Sequence, residues 1–509
     1  MQSEQQRQES HNERIQKAFE QYVQDFPINL TFPAKVSSTS SSRPLRTNVD
    51  LIQHRLLESG VLFSDFQQVD EVTAAVSEFI TNMNDTGCFN AVQVKLEDNG
   101  KDSNEESTLH VVLNEKKWYK LYLGGGLKQD SIYQTSGDSL LPKVQFETSG
   151  TLQNLTGHLD RTNLSYTIDQ TSAASMALSH DSPLYSLFPE DSIGYETILG
   201  MENGSQYNLS CRAMLDTVDH EWTRSYKEYQ RLLSLRISNN CIIGSPEIAP
   251  KSYVGIDWSL ILRDVLPRRH ATLPYACDAS PEVVLQSGPT TKHSVSFEYR
   301  TNGAHTNDRF NPTSGTDFHT KMEFAGPPGD VGFFKAEGGI SHSLGREDGI
   351  AFHASAASGM LQPLAFGGLC GPPTISDRFF IGGPMQLRGF LPAGVGPRSK
   401  IGGASTPRGD ALGGNFFYTA TLAASVPFPS LTILQDSDIR LFGFCNFGTL
   451  TGIRNDAISA LKSTRLSAGS GVCMSSPFGR LEATYSIPIW YGPRDARRAV
   501  QFGIGFNFG

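Results

Sequence analysis

From about Trp118 to the C-terminus, apolar side chains fall at every second position. The clearest runs are residues 163–169, 294–300, 317–324 and 480–487, each with an apolar or aromatic face and a polar or charged one. A period of two predicts strands, whose successive side chains point to opposite faces. No helix-period segment of any length interrupts the pattern. A soluble sandwich also alternates, but roughly a hundred residues make one. Here the alternation covers roughly 390 residues, which suits a large barrel of tilted strands about ten residues long. In such a barrel the apolar face looks out to lipid. Charged positions such as Asp317, His319, Lys321 and Glu323 look into a wet lumen.

Ahead of this region the period changes. Ile15, Phe19, Tyr22, Val23 and Phe26 share one face of a predicted helix that packs within the chain, and the Ser/Thr run 37–42 reads as a flexible link. Residues 45–115 read as a small α/β unit. Asn48 is placed to cap a first helix bearing Leu51, Ile52, Leu56 and Leu57. A second helix, from about Val69 to Met83, carries Val72, Val76, Phe79 and Ile80 on one side. Gly87, Cys88 and Phe89 lead into a strand at 91–96, which a polar loop joins to another at 107–113. The expected division is 1–44 helix and linker, 45–115 small domain, 116–509 barrel.

Composition narrows the function classes. The net charge of −9 argues against nucleic acid as a partner, because phosphate neutralisation needs clustered Lys and Arg. No run of eighteen apolar residues predicts a membrane helix, which leaves strands as the means of crossing. The seven cysteines are scattered without Cys-x-x-Cys spacing, so reduced thiols are expected, with no disulfide framework or metal site. The first residues hold no apolar signal region and are too acidic for a transit peptide. A barrel of this sequence is therefore targeted after synthesis in a eukaryote, or has lost its signal. No nucleophile elbow, P-loop or His-Glu-x-x-His is present, and Gly124 to Gly126 read as a turn or a weak strand. Neither catalysis nor a cofactor is expected.

One stretch departs from the strand pattern. Residues 377–390 contain Asp377, Arg378, Phe379, Gly382, Gly383, Leu387, Arg388, Gly389 and Phe390, and open a Gly- and Pro-rich segment. An isolated Arg-Gly-Phe is most simply a solvated loop. Gly389 can take a positive φ, and the Arg388 fork suits a carboxylate or carbonyl. The full stretch resembles the sixth extracellular loop of the POTRA-domain outer-membrane β-barrel insertase superfamily, and within it the mitochondrial sorting and assembly branch. Residues 150–157, 311–315, 409–415 and 444–448 resemble further elements of that family, thinly over 115–509 and strongly over 377–417.

The resemblance implies a POTRA-like domain followed by a transmembrane barrel of sixteen antiparallel strands, with the loop tucked into the lumen. It implies an insertase of the mitochondrial outer membrane, with the POTRA-like domain on the intermembrane-space side. The implied partners are β-barrel precursors, peripheral subunits and the lipid bilayer. A lateral gate would lie between the first strand (Trp118, Lys120, Tyr122) and the last. In the last strand, Gln501, Gly503, Phe506 and Phe508 match the family's substrate sorting signal, and Gly503 and Gly505 weaken strand packing. The carboxylates that bacterial relatives offer the loop arginine are missing near 423–426 and at Asn446, which leaves Asn446, Glu482 and Asp410 as candidate partners. Rival readings are a plastid-envelope relative, a metabolite or polypeptide pore, and a soluble β-sandwich binding protein.

Overall fold

The computed structural model describes residues 27–30, 32–39, 44–61, 66–98, 106–128, 143–169, 174–183, 208–218, 225–239, 252–268, 277–301, 311–346, 349–402, 409–428, 439–452, 460, 462–476 and 479–505. The helix expected at 13–26 lies outside them.

The small domain holds β1 (Pro27–Leu30), β2 (Lys35–Ser38), α1 (Val49–Glu58), β3 (Phe66–Gln68), α2 (Val69–Asp85), β4 (Phe89–Asp98) and β5 (Glu106–Glu115). Asn48 caps α1, its side chain accepting from Asp50 N–H. Both helices bury most of the apolar faces read from the sequence, with Ile52, Leu56, Phe79 and Met83 packed against Val111 and Leu113, whereas Leu57 turns outward and is exposed. The expected boundary at residue 45 is corrected. β1 and β2 lie end to end along one edge of β5, so the domain begins no later than Pro27. Ser37 and Ser38 pair with Val112 and Leu113 in a parallel ladder, which satisfies the backbone whatever the side chains. The Ser37 hydroxyl bonds the His110 ring at 2.8 Å.

The second sheet has sixteen strands in strict sequence order. They are β6 (Tyr119–Lys128), β7 (Lys143–Gln153), β8 (Arg161–Asp169), β9 (Ala174–Pro183), β10 (Asn208–Val218), β11 (Tyr226–Ser238), β12 (Ser252–Pro267) and β13 (Gly288–Thr301). They continue as β14 (Gly315–Ala325), β15 (Phe333–Gly345), β16 (Ala351–Pro363), β17 (Phe416–Pro427), β18 (Ile439–Thr451), β19 (Arg465–Ser476), β20 (Gly479–Trp490) and β21 (Val500–Gly505). Along β20, Arg480, Glu482, Thr484 and Ser486 are buried inside, whereas Tyr485, Ile487 and Ile489 are exposed outside. That inversion of the soluble rule is what a barrel in lipid requires. Among the described residues no helix is long and apolar enough to cross a membrane. Pro488 sits in β20 where the register with β19 shifts at Leu466 and Ser467, the kind of irregularity that tolerates proline.

β6 differs from its expected form. It starts one residue after Trp118, and the three glycines continue it, paired with Glu147, Phe146 and Gln145.

The two domains are joined by more than the chain. The β7–β8 turn pushes Leu159 into the core of the small domain, where it is fully buried. Asn154 donates to the Thr47 hydroxyl, and Asn48 N–H donates to Gly157 O. Thr47 and Arg46 in turn donate to Glu115. Burial disfavours the Glu115 charge, but these bonds outweigh it and hold the carboxyl below the usual range. That link is present above about pH 4.3 and fades as pH falls through the lowered value. Leu159→Ala is expected to cost about 2–5 kcal/mol of packing at this joint. Hydrogen exchange should then rise in α1 and in the β7–β8 turn together. Unchanged protection would mean that the two domains do not share a core.

Candidate functional site

Sixteen strands enclose a lumen, and the 364–415 connection between β16 and β17 enters it from the side opposite the small domain. Its bent path depends on glycine. Gly389 has φ +89°, and a Cβ there would meet Ser467 and Ser486 at 3.3 Å. Gly382 has φ +128°, and its Cβ would lie 2.0 Å from Leu391 O. A side chain at Gly389 would press the loop off the wall, and one at Gly382 would break the loop's own fold against Leu391. Leu387 and Phe390 are fully buried in the largest lumen cluster, with Phe379, Ile381, Val395, Phe417 and Leu450.

The motif's charges are spent on two opposite walls. Arg388 forks onto Glu482 of β20, Nε to Oε1 and Nη2 to Oε2, both at 2.9 Å. Both side chains are fully buried. Arg480 also donates to Glu482 Oε2 at 3.3 Å, and the rings of Phe444 and Phe442 face the Arg388 guanidinium at 5.1 and 5.5 Å. At the other end of the motif, Asp377 takes a second fork from Arg263 of β12, again with both bonds at 2.9 Å. Lys335 donates to Asp377 O, and Ser376 donates to Glu228 of β11. Counted from β6, β12 is the seventh strand and β20 the fifteenth, half the circumference apart. The loop is thus a strut across the lumen, held by a bidentate ion pair at each end. A buried pair offsets its desolvation only with such geometry, and what it supplies is a defined position.

Of the three candidate partners for Arg388, Glu482 is the one it meets. Asp410 instead accepts from Ser280 N–H and hydroxyl, which ties the loop's far end to the β12–β13 connection. Asn446 is buried, and its side chain makes no hydrogen bond among the described residues. Arg378 donates to Leu412 O, and Phe379 packs on Phe417 with ring centroids 4.8 Å apart under the Lys335 ammonium.

Two groups of residues that looked separate in sequence meet here. Gln501 of β21 accepts from Gly389 N–H and donates to Phe390 O, each at 2.8 Å. Gly503 lies beneath the loop turn, and a Cβ on it would reach Pro384 at 2.9 Å. Beside the weakening expected of a glycine in a strand, the structure gives it a second use, which is to make room for the loop. The surroundings of Gly505 and the positions of Phe506 and Phe508 lie outside the described residues. The loop also pairs with the β20–β21 connection, through Leu391 N–H to Ala496 O and Arg498 N–H to Gly389 O. Trp118, just before β6, and Lys120 and Tyr122 on it stay apart, exposed and without a contact to the loop among the described residues. Sequence reasoning missed Arg263, Glu228 and Ser467, and placed Arg480 on a strand without a part in the site. Arg263 carried a signal, being a lone cation at an inward position of the apolar run 258–266.

This arrangement fixes the loop against β12, β20 and β21. Known proteins resemble the chain in sequence and in fold. Residues 133–508 match the Omp85 superfamily domain. A SAM50-like protein of Schizosaccharomyces pombe is 29% identical over 242 residues, 45% of this chain and 47% of that one. The sorting and assembly machinery component 50 homolog of Mus musculus is 30% identical over 244 residues, 45% of this chain and 48% of that one. The outer membrane protein assembly factor BamA of Neorickettsia risticii is 30% identical over 235 residues, 45% of this chain and 29% of that one. The chain spans about half the length of the SAM50 relatives it matches. BamA from Haemophilus ducreyi lacking POTRA domains 1–3 shares the fold, with a TM-score of 0.66 at 16% identity over 93% of this chain and 84% of that one.

Proposed function

The chain belongs to the Omp85 superfamily, and on that premise we propose that it is the central insertase of the mitochondrial outer membrane. It folds and inserts β-barrel precursors through a lateral gate between β6 and β21. The POTRA-like small domain faces the intermembrane space, and peripheral subunits complete the assembly complex. The reaction makes and breaks no covalent bond. A precursor strand cannot enter lipid with orphan N–H and C=O groups, each of which costs several kcal/mol there. A barrel edge exposed at the gate satisfies them by strand addition, and new hairpins form on that template.

The observation that carries this reading is the grip of the loop on the last strand. Gln501 fastens β21 to a strut that reaches the far wall, and Gly503 makes room for its turn. β21 therefore stays with the barrel when it parts from β6, and the β6 edge becomes available.

Reconstitution tests the proposal. Liposomes carrying the protein should fold a urea-unfolded mitochondrial barrel precursor faster than empty liposomes, read by the gel shift of the folded product. Ion conductance without faster folding would assign the chain to the pore class instead.

A further inference from the structure

The connection that becomes the strut does not go straight into the lumen. Residues 363–373 read Pro-Leu-Ala-Phe-Gly-Gly-Leu-Cys-Gly-Pro-Pro, with no charged, amide or hydroxyl side chain. The run is held firmly against the β14–β15 turn. Leu364 N–H donates to Gly332 O at 2.9 Å, Gly332 N–H to Gly371 O at 3.1 Å and Gly371 N–H to Asp330 O at 2.7 Å. The Cys370 thiol donates to Gly329 O. Phe366 fits a notch lined by Gly326 and Gly332, where a Cβ on either would touch its ring at 3.0 Å. Its backbone sits at φ +43°, a strained value for an aromatic residue, which its surroundings impose.

That notch opens to the outside of the barrel. Phe366 stacks edge-on against Phe324, with centroids 5.7 Å apart. Phe324 belongs to the exposed outer row of β14 with Phe318 and Met322. Its neighbour Glu323 points the other way, to Lys292 in the lumen. Beyond Phe366, Leu369 is 76% exposed. Pro327 and Pro328 of the adjoining turn are exposed as well.

We propose that residues 364–370 are an in-plane membrane anchor, with Phe366 and Leu369 seated in the headgroup–acyl boundary of the leaflet on the loop side. The inference rests on the membrane-barrel reading and not on insertase activity. Continuity selects the occupant: Phe324, Phe366 and Leu369 form one apolar surface that starts on the lipid-facing row. Uncharged aromatic and aliphatic groups at that height are the usual interfacial anchors. The strut is then tied at a third point, to the bilayer, before it reaches Arg263.

Depth-dependent quenching tests this in the full chain, reconstituted in phosphatidylcholine vesicles. In a variant with the seven native cysteines replaced, an NBD label is placed on Leu369→Cys. Ile401→Cys, 64% exposed in the same connection, is the aqueous reference, and Met322→Cys on the outer row is the lipid reference. The label at 369 should emit to the blue of that at 401 and resist iodide. Nitroxide lipids labelled near the headgroup should quench it at least about twofold more than the 401 label. Lipid quenching at 322 with 369 behaving like 401 overturns the anchor and leaves the barrel standing. Aqueous behaviour at all three sites removes the barrel reading itself, and the anchor with it. Shielding at 369 that appears only when peripheral subunits are added also overturns it, since the surface then docks protein. If loss of the buried thiols unfolds the chain, Leu369→Trp with brominated lipids, read by difference from the wild type, makes the same discrimination.

Discussion

Glu482→Gln is expected to release the lumen loop more completely than Arg388→Ala does. The order follows from the geometry. Removing Arg388 leaves Glu482 with its second donor, Arg480 Nε at 3.3 Å. Removing the Glu482 charge leaves the Arg388 and Arg480 guanidiniums on either side of a neutral amide, with all three side chains buried. Breaking a buried pair by deleting one partner costs about 3–5 kcal/mol, and Glu482→Gln should lie at the upper end of that range. Arg388→Lys should also fail, because an ammonium cannot make the fork to both carboxylate oxygens. All three variants should still insert as barrels, since the wall's backbone ladders do not involve these side chains. The readouts are the accessibility of a cysteine placed at Met385, the thermal midpoint in detergent, and the rate of precursor assembly. Loop accessibility and assembly at wild-type values in Glu482→Gln would mean that the ion pair does not position the loop.

How far this site was legible in sequence depends on which force placed each residue. Period-two alternation follows from the strand itself, so the barrel wall could be read directly, including Arg480 and Glu482 as inward positions of one strand. The Arg-Gly-Phe motif was visible because Gly389 and the aromatics break that alternation. Its partner could be narrowed only to three candidates, since Glu482 lies 94 residues away and meets Arg388 only through the loop's path across the lumen. Gln501 and Gly503 were noticed for a different reason, as a strand signal. Their contact with the loop depends on where β21 falls in the barrel. Ser37 and Ser38 were misread because ladder hydrogen bonds, which any side chain permits, decided that strand. The β6 glycines were left between turn and strand on the same account.

Closing the seam by a disulfide should stop the protein's action while leaving its structure whole. Among the described residues the sheet runs as a path that begins at β6 and ends at β21. Over its described length β21 is joined to β20 by six residue pairs, Val500 with Tyr485 through Gly505 with Arg480. The loop adds its own hold on β21 through Gln501. In the proposed mechanism the exchange at the gate would therefore occur on the β6 side, where an incoming strand would replace one set of ladder bonds with another at small net free energy. In a background without native thiols, a cysteine within 119–123 should crosslink to one within 501–505 at rest, in the register where the Cβ atoms approach to about 3.5–4.5 Å. During import the same β6 cysteine should crosslink instead to the C-terminal strand of the precursor, and the internal bond should be lost. Oxidation before import should stall precursors ahead of insertion, and reduction should release them. A locked barrel that inserts precursors at the unlocked rate would place the opening elsewhere in the wall. The loop's grip on β21 would then serve only to hold the barrel's shape.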